Sequence, residues 1–366
     1  MEKLKQAVKE IAYYRHQAKF SKLHLSLIPF LSLSSSLYGA LLYTRQSLYR
    51  SGFFSKNRLP VPVISVGNLT WGGNGKTPMA EFIAKRLADY GISPLILTRG
   101  YAGGDEAKML KRHLLGGPVK VGVGANRVAT ANLFFEKYGY VDYRGSKFFE
   151  RTYLDPKMGS HVGSQKIGAA VLDDGMQHWS LCRDLEIVMI NGLMPWGNCK
   201  LLPLGPLREP LIAIKRANIA VVHHADLVLE QKLKDIKLVV QEIKESLPIF
   251  YTRMTPSYFF ELRNISTKMH LGAVLDAVVL CVSAIGSPDA FVRAMEKIGP
   301  LFVDRFDFSD HYSFQLKDIH MMRERLRQLE DKFGYKPIVI VTEKIIPCNG
   351  CNEDSFKSLL KELLEV

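Results

Sequence analysis

VPVISVGNLTWGGNGKTP, residues 61–78, is a short apolar run that breaks into glycines and then opens a helix-like segment with Lys76-Thr77. A loop that cradles phosphate needs small residues, so that successive backbone N–H groups can approach phosphate oxygens. It also needs a Lys that reaches the β- and γ-phosphates and a hydroxyl for a metal. Gly72, Gly73, Asn74, Gly75, Lys76 and Thr77 meet those needs. The strict pattern asks for Gly where Thr70 stands, but the order strand, loop, helix is the context that the motif requires. A simple Gly-rich turn leaves Lys76-Thr77 without a reason.

Outward from this loop, apolar runs alternate with amphipathic segments, the pattern of a parallel α/β sheet. Strands are expected at Val61–Val66, Leu95–Thr98, Ala169–Leu172, Ile187–Ile190 and Ile219–Val222. Helices are expected at Thr77–Tyr90, Asn126–Tyr138 and Asp226–Ser246. A second alternating unit follows, with strands Val278–Val282 and Ile338–Val341 and helices Asp289–Ile298 and Lys317–Lys332. The expected division is an N-terminal segment at 1–50, a P-loop domain at 51–225 and a smaller α/β domain at 226–366. At 366 residues the chain exceeds the usual size of one hydrophobic core, which agrees with two domains.

The partner of a P-loop is an acid at the end of a neighbouring strand, which holds Mg²⁺ directly or through water. Ala169-Ala170-Val171-Leu172-Asp173-Asp174 supplies two. Adjacent carboxylates can both stay ionised beside a dication, because its charge offsets their repulsion. Thr77, Asp173 and Asp174 are therefore the candidate metal residues. A guanine-reading nucleotide switch carries an Asn-Lys-x-Asp element, and none occurs here. A membrane-associated NTPase, or a non-enzymatic membrane scaffold in which the P-loop is vestigial, is the other rival.

The stretch Leu23 to Thr44 contains no Asp, Glu, Lys or Arg and is long enough to cross a bilayer. Pro29 and the serines Ser26, Ser32, Ser34, Ser35 and Ser36 dilute it, so a helix lying in the interface is equally expected. Lys3, Lys5, Lys9, Arg15, Lys19 and Lys22 before it, and Arg45 and Arg50 after it, suit anionic headgroups. A buried core helix or an organelle-targeting segment is the competing reading, and a secretory signal fits poorly. The 49 Lys and Arg outnumber the 36 Asp and Glu, leaving +13, which favours phosphates, nucleic acid or an anionic membrane. Five scattered cysteines do not make a disulfide framework and point to a reducing compartment. Cys348-Asn-Gly-Cys351 has the spacing of half a zinc site with no second half, and reads as a surface turn.

The run DDGMQHWSLCRDLEIVMINGLMPWGNCKLLPLGPLREPL, Asp173 to Leu211, resembles the tetraacyldisaccharide 4'-kinase family, the lipid A 4'-kinases. So do SVGNLTWGGNGKTP at Ser65–Pro78, LTRGYAGGDE at Leu97–Glu106 and FSDHYSF at Phe308–Phe314. The resemblance implies two α/β/α sandwich domains joined by a hinge, preceded by a membrane-associating helix. It implies transfer of the ATP γ-phosphate, with Mg²⁺, to the 4'-hydroxyl of a lipid-anchored glucosamine disaccharide 1-phosphate to give lipid IVA. Its partners are that lipid and a membrane surface, with no nucleic acid. The family default is the cytoplasmic face of a bacterial inner membrane, with a mitochondrial or other organellar membrane for a eukaryotic source. Residue by residue it implies that Lys76 acts in catalysis, that the loop through Pro78 holds the nucleotide, that Asp105 resembles the base and that His311 resembles its partner. Glu106, Gln177, His178, Arg208, Glu209 and Asp310 match positions that line the site. Two differences stand out: the interval between Arg99-Gly100-Tyr101 and Gly104-Asp105-Glu106 is short, and the stretch Gly139 to Gly168 is long.

Overall fold

The computed structural model describes residues 2–13, 21–100, 105–142, 165–261, 264–309, 312 and 314–342. The chain divides into two compact units, residues 1–100 with 110–252 and residues 101–109 with 253–366.

In the first unit the strands are β1 (Val63–Asn68), β2 (Pro94–Thr98), β3 (Lys120–Val123), β4 (Ala169–Asp173), β5 (Leu185–Asn191), β6 (Ile219–His223) and β7 (Ile249–Thr252). They form one sheet in the order β3-β2-β4-β1-β5-β6-β7, and every neighbouring pair is parallel. β1, β2 and β4 are buried along their whole length, which is why they read as unbroken apolar runs rather than as alternating ones. Successive side chains still part to opposite faces. Ile64, Val66, Ala169 and Val171 pack under α3 (Lys76–Asp89) with Ala80, Ala84 and Leu87. Val63, Ala170 and Leu172 pack on the other face against Ala131 and Phe135 of α5 (Arg127–Tyr138). Farther along that second face, Val188, Ile190, Ala220 and Val222 meet Ile236 and Val240 of a helix at Glu230–Ile243, α6 here. This is a three-layer α/β/α sandwich.

Two helices precede the sheet, α1 (Glu2–Tyr13) and α2 (Lys22–Arg50). His24 joins them: its Nδ1 accepts from the Ser21 amide at 3.1 Å, and its Nε2 lies 2.9 Å from the Glu10 carboxylate. The end of α1 is seated on the loop after β5, where the Asn198 amide donates to the Ala12 carbonyl at 2.8 Å and its side chain to the Ile11 carbonyl at 3.0 Å.

In the second unit β10 (Val278–Ser283) lies between β11 (Phe302–Asp307) and β12 (Ile338–Val341), all parallel. Val278, Leu280 and Val282 face Ile319, Met322 and Leu329 of the helix Leu316–Phe333, α8 here. Val279 and Cys281 face Val292 and Met295 of Pro288–Glu296, α7 here. Two further strands, β8 (Phe259–Glu261) and β9 (Asn264–Met269), form an antiparallel pair.

The apolar runs marked β1, β2, β4, β5, β6, β10 and β12 to within a few residues. β3, β7, β11 and the β8–β9 pair were not expected, nor was α4 (Asp105–His113). The helix expected from Asp226 starts at Glu230, because His224 takes a left-handed turn with φ 59° and a short 3₁₀ segment follows at Ala225–Leu227. Most of the long Gly139–Gly168 stretch, and Cys348 and Cys351, lie outside the described residues.

Candidate active site

The loop between β1 and α3 sits where the sheet order changes direction, since β1 is flanked by β4 on one side and β5 on the other. In open parallel sheets ligands bind beyond the carboxyl ends of the strands at such a point. The register brings Val66 of β1 level with Asp173 of β4, and Asn68 level with Met189 of β5. The Asp173-Asp174 turn and the end of β5 are thereby set beside the glycine loop.

Backbone shape explains the glycines at two positions. Gly72 has φ 95° and Gly75, the N-cap of α3, has φ 74°, a region that L side chains rarely adopt. A Cβ on Gly75 would also stand 2.5 Å from Cδ2 of His223. The loop is tied from within by the buried Asn74, whose Nδ2 donates to the carbonyls of Thr70 at 3.3 Å and Gly72 at 3.1 Å. From below, Asn191 at the end of β5 donates to the Gly73 carbonyl at 3.1 Å. Thr70, where the strict motif has Gly, is itself buried, and its hydroxyl lies 3.4 Å from Asn74 Oδ1. In this loop the residue serves as an anchor.

The two acids after β4 have different partners. Thr77 Oγ1 donates to Asp173 Oδ2 at 3.0 Å, both residues being buried. Asp174, held at φ 56°, faces cations: Arg208 Nη1 donates to its two oxygens at 2.8 and 2.9 Å, and Lys76 Nζ lies 3.6 Å away. Burial alone would raise the Asp174 pKa, but the Lys76 and Arg208 charges outweigh it and hold the carboxyl below its ordinary range. Asp173 and Thr77 are hard oxygen donors, the type that Mg²⁺ accepts from a protein while phosphates and water complete its shell. No group of three or more His, Cys, Asp or Glu that could hold a metal ion occurs among the described residues.

A second polar layer backs Arg208. Gln177 donates through Nε2 to the Asn68 carbonyl at 2.9 Å and to Glu209 Oε1 at 3.2 Å. Glu209 is fully buried, and Arg216 grips it with two hydrogen bonds of 2.6 and 3.0 Å. Its burial is thus matched by a charge-assisted pair. His178 is half-buried; its burial, with Arg127, Arg183, Arg45 and Arg99 around it, pushes its pKa down to about 4. It is a neutral imidazole at neutral pH.

Lys76, Thr77, Asp173, Asp174, Gln177, Arg208 and Glu209, all expected from the sequence, therefore form one connected set. Asp105 is the first residue of α4, and Glu106 follows it; the Asp105 side chain, like Asp310 and His311, lies outside the described residues. Asn191, His223 and Arg216, with Tyr13, whose hydroxyl donates to the Trp71 carbonyl at 3.1 Å, and Tyr38 and Gln46 of α2, are site neighbours to which the sequence reading gave no role in the site. Only their strand-end or helix-face positions could have signalled them.

Comparison with known proteins points one way. The family model described as LpxK, tetraacyldisaccharide-1-P 4'-kinase, matches residues 27–356. The chain is 58% identical over 345 residues to a probable tetraacyldisaccharide 4'-kinase, mitochondrial, of Arabidopsis thaliana, covering 94% of this chain and 87% of that one. It is 31% identical over 329 residues to the tetraacyldisaccharide 4'-kinase of Halothermothrix orenii, covering 86% and 81%. Among solved structures, an "apo" form of LpxK from Aquifex aeolicus in complex with ATP superposes with a TM-score of 0.56 at 24% identity, covering 93% of this chain and 99% of that one. This last likeness speaks for the fold.

Proposed function

We propose that this chain, which belongs to the tetraacyldisaccharide-1-P 4'-kinase family, phosphorylates the 4'-hydroxyl of a tetraacylated glucosamine disaccharide 1-phosphate at a membrane surface, using ATP and Mg²⁺. The observation that carries the reading is the pairing of Thr77 with Asp173 and of Lys76 and Arg208 with Asp174, at the carboxyl ends of β1 and β4.

Phosphoryl transfer asks for alignment and for neutralised charge rather than for covalent work. The loop amides and the Lys76 ammonium take the β- and γ-phosphates. Asp174 holds Lys76 and Arg208 in place until phosphate oxygens compete for them. Thr77 and Asp173 would hold Mg²⁺, which offsets the charge that develops on the phosphate oxygens. The acceptor oxygen forms its bond to the γ-phosphorus as the bond to the β-phosphate oxygen breaks, and ADP leaves. The hydroxyl proton passes to a carboxylate, and Asp105 is our candidate, with His311 as its partner.

The acceptor is a lipid amphiphile, and α2 is suited to the surface where it resides. Phe30, Leu33, Leu37 and Leu41, on one side of the helix, are 73%, 65%, 60% and 70% exposed. Full burial of such a side chain is worth roughly 1.5–3 kcal/mol, and most of that is still to be gained at each of the four, which favours a lipid cover. α2 is the one helix among the described residues that is long and apolar enough to cross a membrane. The relative named as mitochondrial favours an organellar membrane as its place.

The direct test incubates the purified chain with Mg-ATP and tetraacyldisaccharide 1-phosphate in detergent. A product heavier by one phosphate is expected; ATP hydrolysis without that product would leave a membrane NTPase as the reading. Asp105→Ala is expected to lower turnover far more than ATP affinity. Full turnover in that variant would move the base role to Glu106.

A further inference from the structure

The side of α2 turned away from its apolar stripe packs a ring, Tyr49, near Trp179, and also makes a row of polar contacts. Three of these go to the segments that carry the candidate chemistry. Tyr38 OH donates to the Arg208 carbonyl at 2.9 Å. Gln46 Nε2 donates to Glu209 Oε2 at 3.2 Å, beside the oxygens that Arg216 and Gln177 already engage. Arg45 donates to the Gln177 carbonyl at 3.4 Å. One turn before Tyr38, Ser35 donates to the Leu201 carbonyl at 2.9 Å, and Gly39 lets the helix lie close, since a Cβ there would stand 3.3 Å from Leu201. A helix that served only to tether the protein would need none of these contacts, because tethering depends on the outward apolar face.

We propose that Tyr38 and Gln46 are positioning residues of the kinase site, through which the membrane helix fixes the Arg208–Glu209 segment. Tyr38 sets the backbone from which the Arg208 guanidinium reaches Asp174. Gln46 supplies one of the donors that keep the buried Glu209 carboxylate, and with it Gln177, in place. The same helix that lies in lipid thus completes the geometry of the arginine. This deepens the kinase reading above and rests on it.

The test compares wild type with Tyr38→Phe and Gln46→Met, each close in shape to the original, in detergent mixed micelles of tetraacyldisaccharide 1-phosphate with Mg-ATP, where docking on a bilayer is not limiting. Loss of one such hydrogen bond predicts a fall in kcat of about fivefold for either variant, with KM for ATP unchanged. Flotation with vesicles is expected to be unchanged, because the apolar face is intact. In an Arg208→Ala background, Tyr38→Phe is expected to cost nothing further, since its effect runs through that guanidinium. Wild-type kcat in both variants, or losses that add in full to that of Arg208→Ala, would overturn the proposal and leave α2 as a tether. A parallel fall in thermal unfolding temperature with additive losses would assign the contacts to stability alone. Failure of the wild-type enzyme to phosphorylate the disaccharide would instead count against the kinase reading, a result that the variants cannot mimic.

Discussion

Lys76 and Asp174, with 3.6 Å between ammonium and carboxylate, form a pair that a γ-phosphate would disturb under the proposed function. In the proposed mechanism the ammonium meets charge that is redistributed over the phosphate oxygens in the transition state, so removing it should cost turnover first. Lys76→Ala is expected to lower kcat by about a hundredfold or more while the chain stays folded, measured by steady-state turnover and circular dichroism. His223 offers a test of a different kind. Its ring lies under Gly75, its Nδ1 is 3.0 Å from Thr252 Oγ1, and the His224 ring centroid is 4.1 Å away. Burial and the neighbouring His224 push its pKa down to about 4, from an ordinary 6.5, against the opposing pull of Asp226. The unfolded chain therefore binds the proton first as pH falls. The stability tied to a neutral His223 is complete above about pH 6.5 and is lost as pH falls toward 4. His178, shifted in the same direction, adds to this slope. His223→Gln should flatten the dependence of the urea midpoint between pH 7 and 5; an unchanged slope would clear His223 of that role. Asp173 and Asp174 were legible as a pair from the sequence, but their division of labour was not. That division depends on Arg208, which the chain brings from far downstream through the fold.

At the scale of elements, β1 and β4 were readable because a strand buried on both faces has few polar options. β11 was hidden by its charges: FVDRFD carries Asp304, Arg305 and Asp307, which an edge strand accommodates in pairs such as Asp304 with Arg325. The site also depends on how closely β1 and the turn after β4 approach. A Cβ on Gly67 would stand 2.6 Å from the Met176 amide nitrogen, and backbone cannot yield as a flexible side chain does. Gly67→Ala is accordingly expected to cost about 1–3 kcal/mol of stability or more, read from urea unfolding, and to lower turnover by moving Asp173 and Asp174 relative to the loop. Wild-type stability and turnover would mean that the turn has slack that this packing does not suggest. α2 was legible as an apolar, serine-diluted helix, but its serines were read as dilution alone. Ser35 instead marks the protein-facing side.

For the molecule as a whole, the proposed place at a membrane would rest on two physically distinct terms, and salt separates them. The net charge of +13 attracts an anionic surface, and Lys22, Arg45 and Arg50 lie on the same helix as the exposed Phe30, Leu33, Leu37 and Leu41. Each basic residue near such a surface contributes about 1 kcal/mol at most, and this attraction fades as the Debye length shrinks from about 10 Å at 0.1 M to about 3 Å at 1 M salt. The apolar term has no such dependence, and strongly excluded salts strengthen it. Flotation of the full chain with vesicles containing anionic lipid should therefore weaken as sodium chloride rises and then level off at a residual binding set by α2. Replacing Leu33, Leu37 and Leu41 with serine should remove that plateau and leave binding that salt abolishes. Vesicles of neutral lipid should show the plateau and little of the salt-sensitive part. Binding of the full chain that vanished at high salt would mean that the apolar face of α2 does not enter lipid. A second protein surface, detectable as self-association in the ultracentrifuge, would then be its cover.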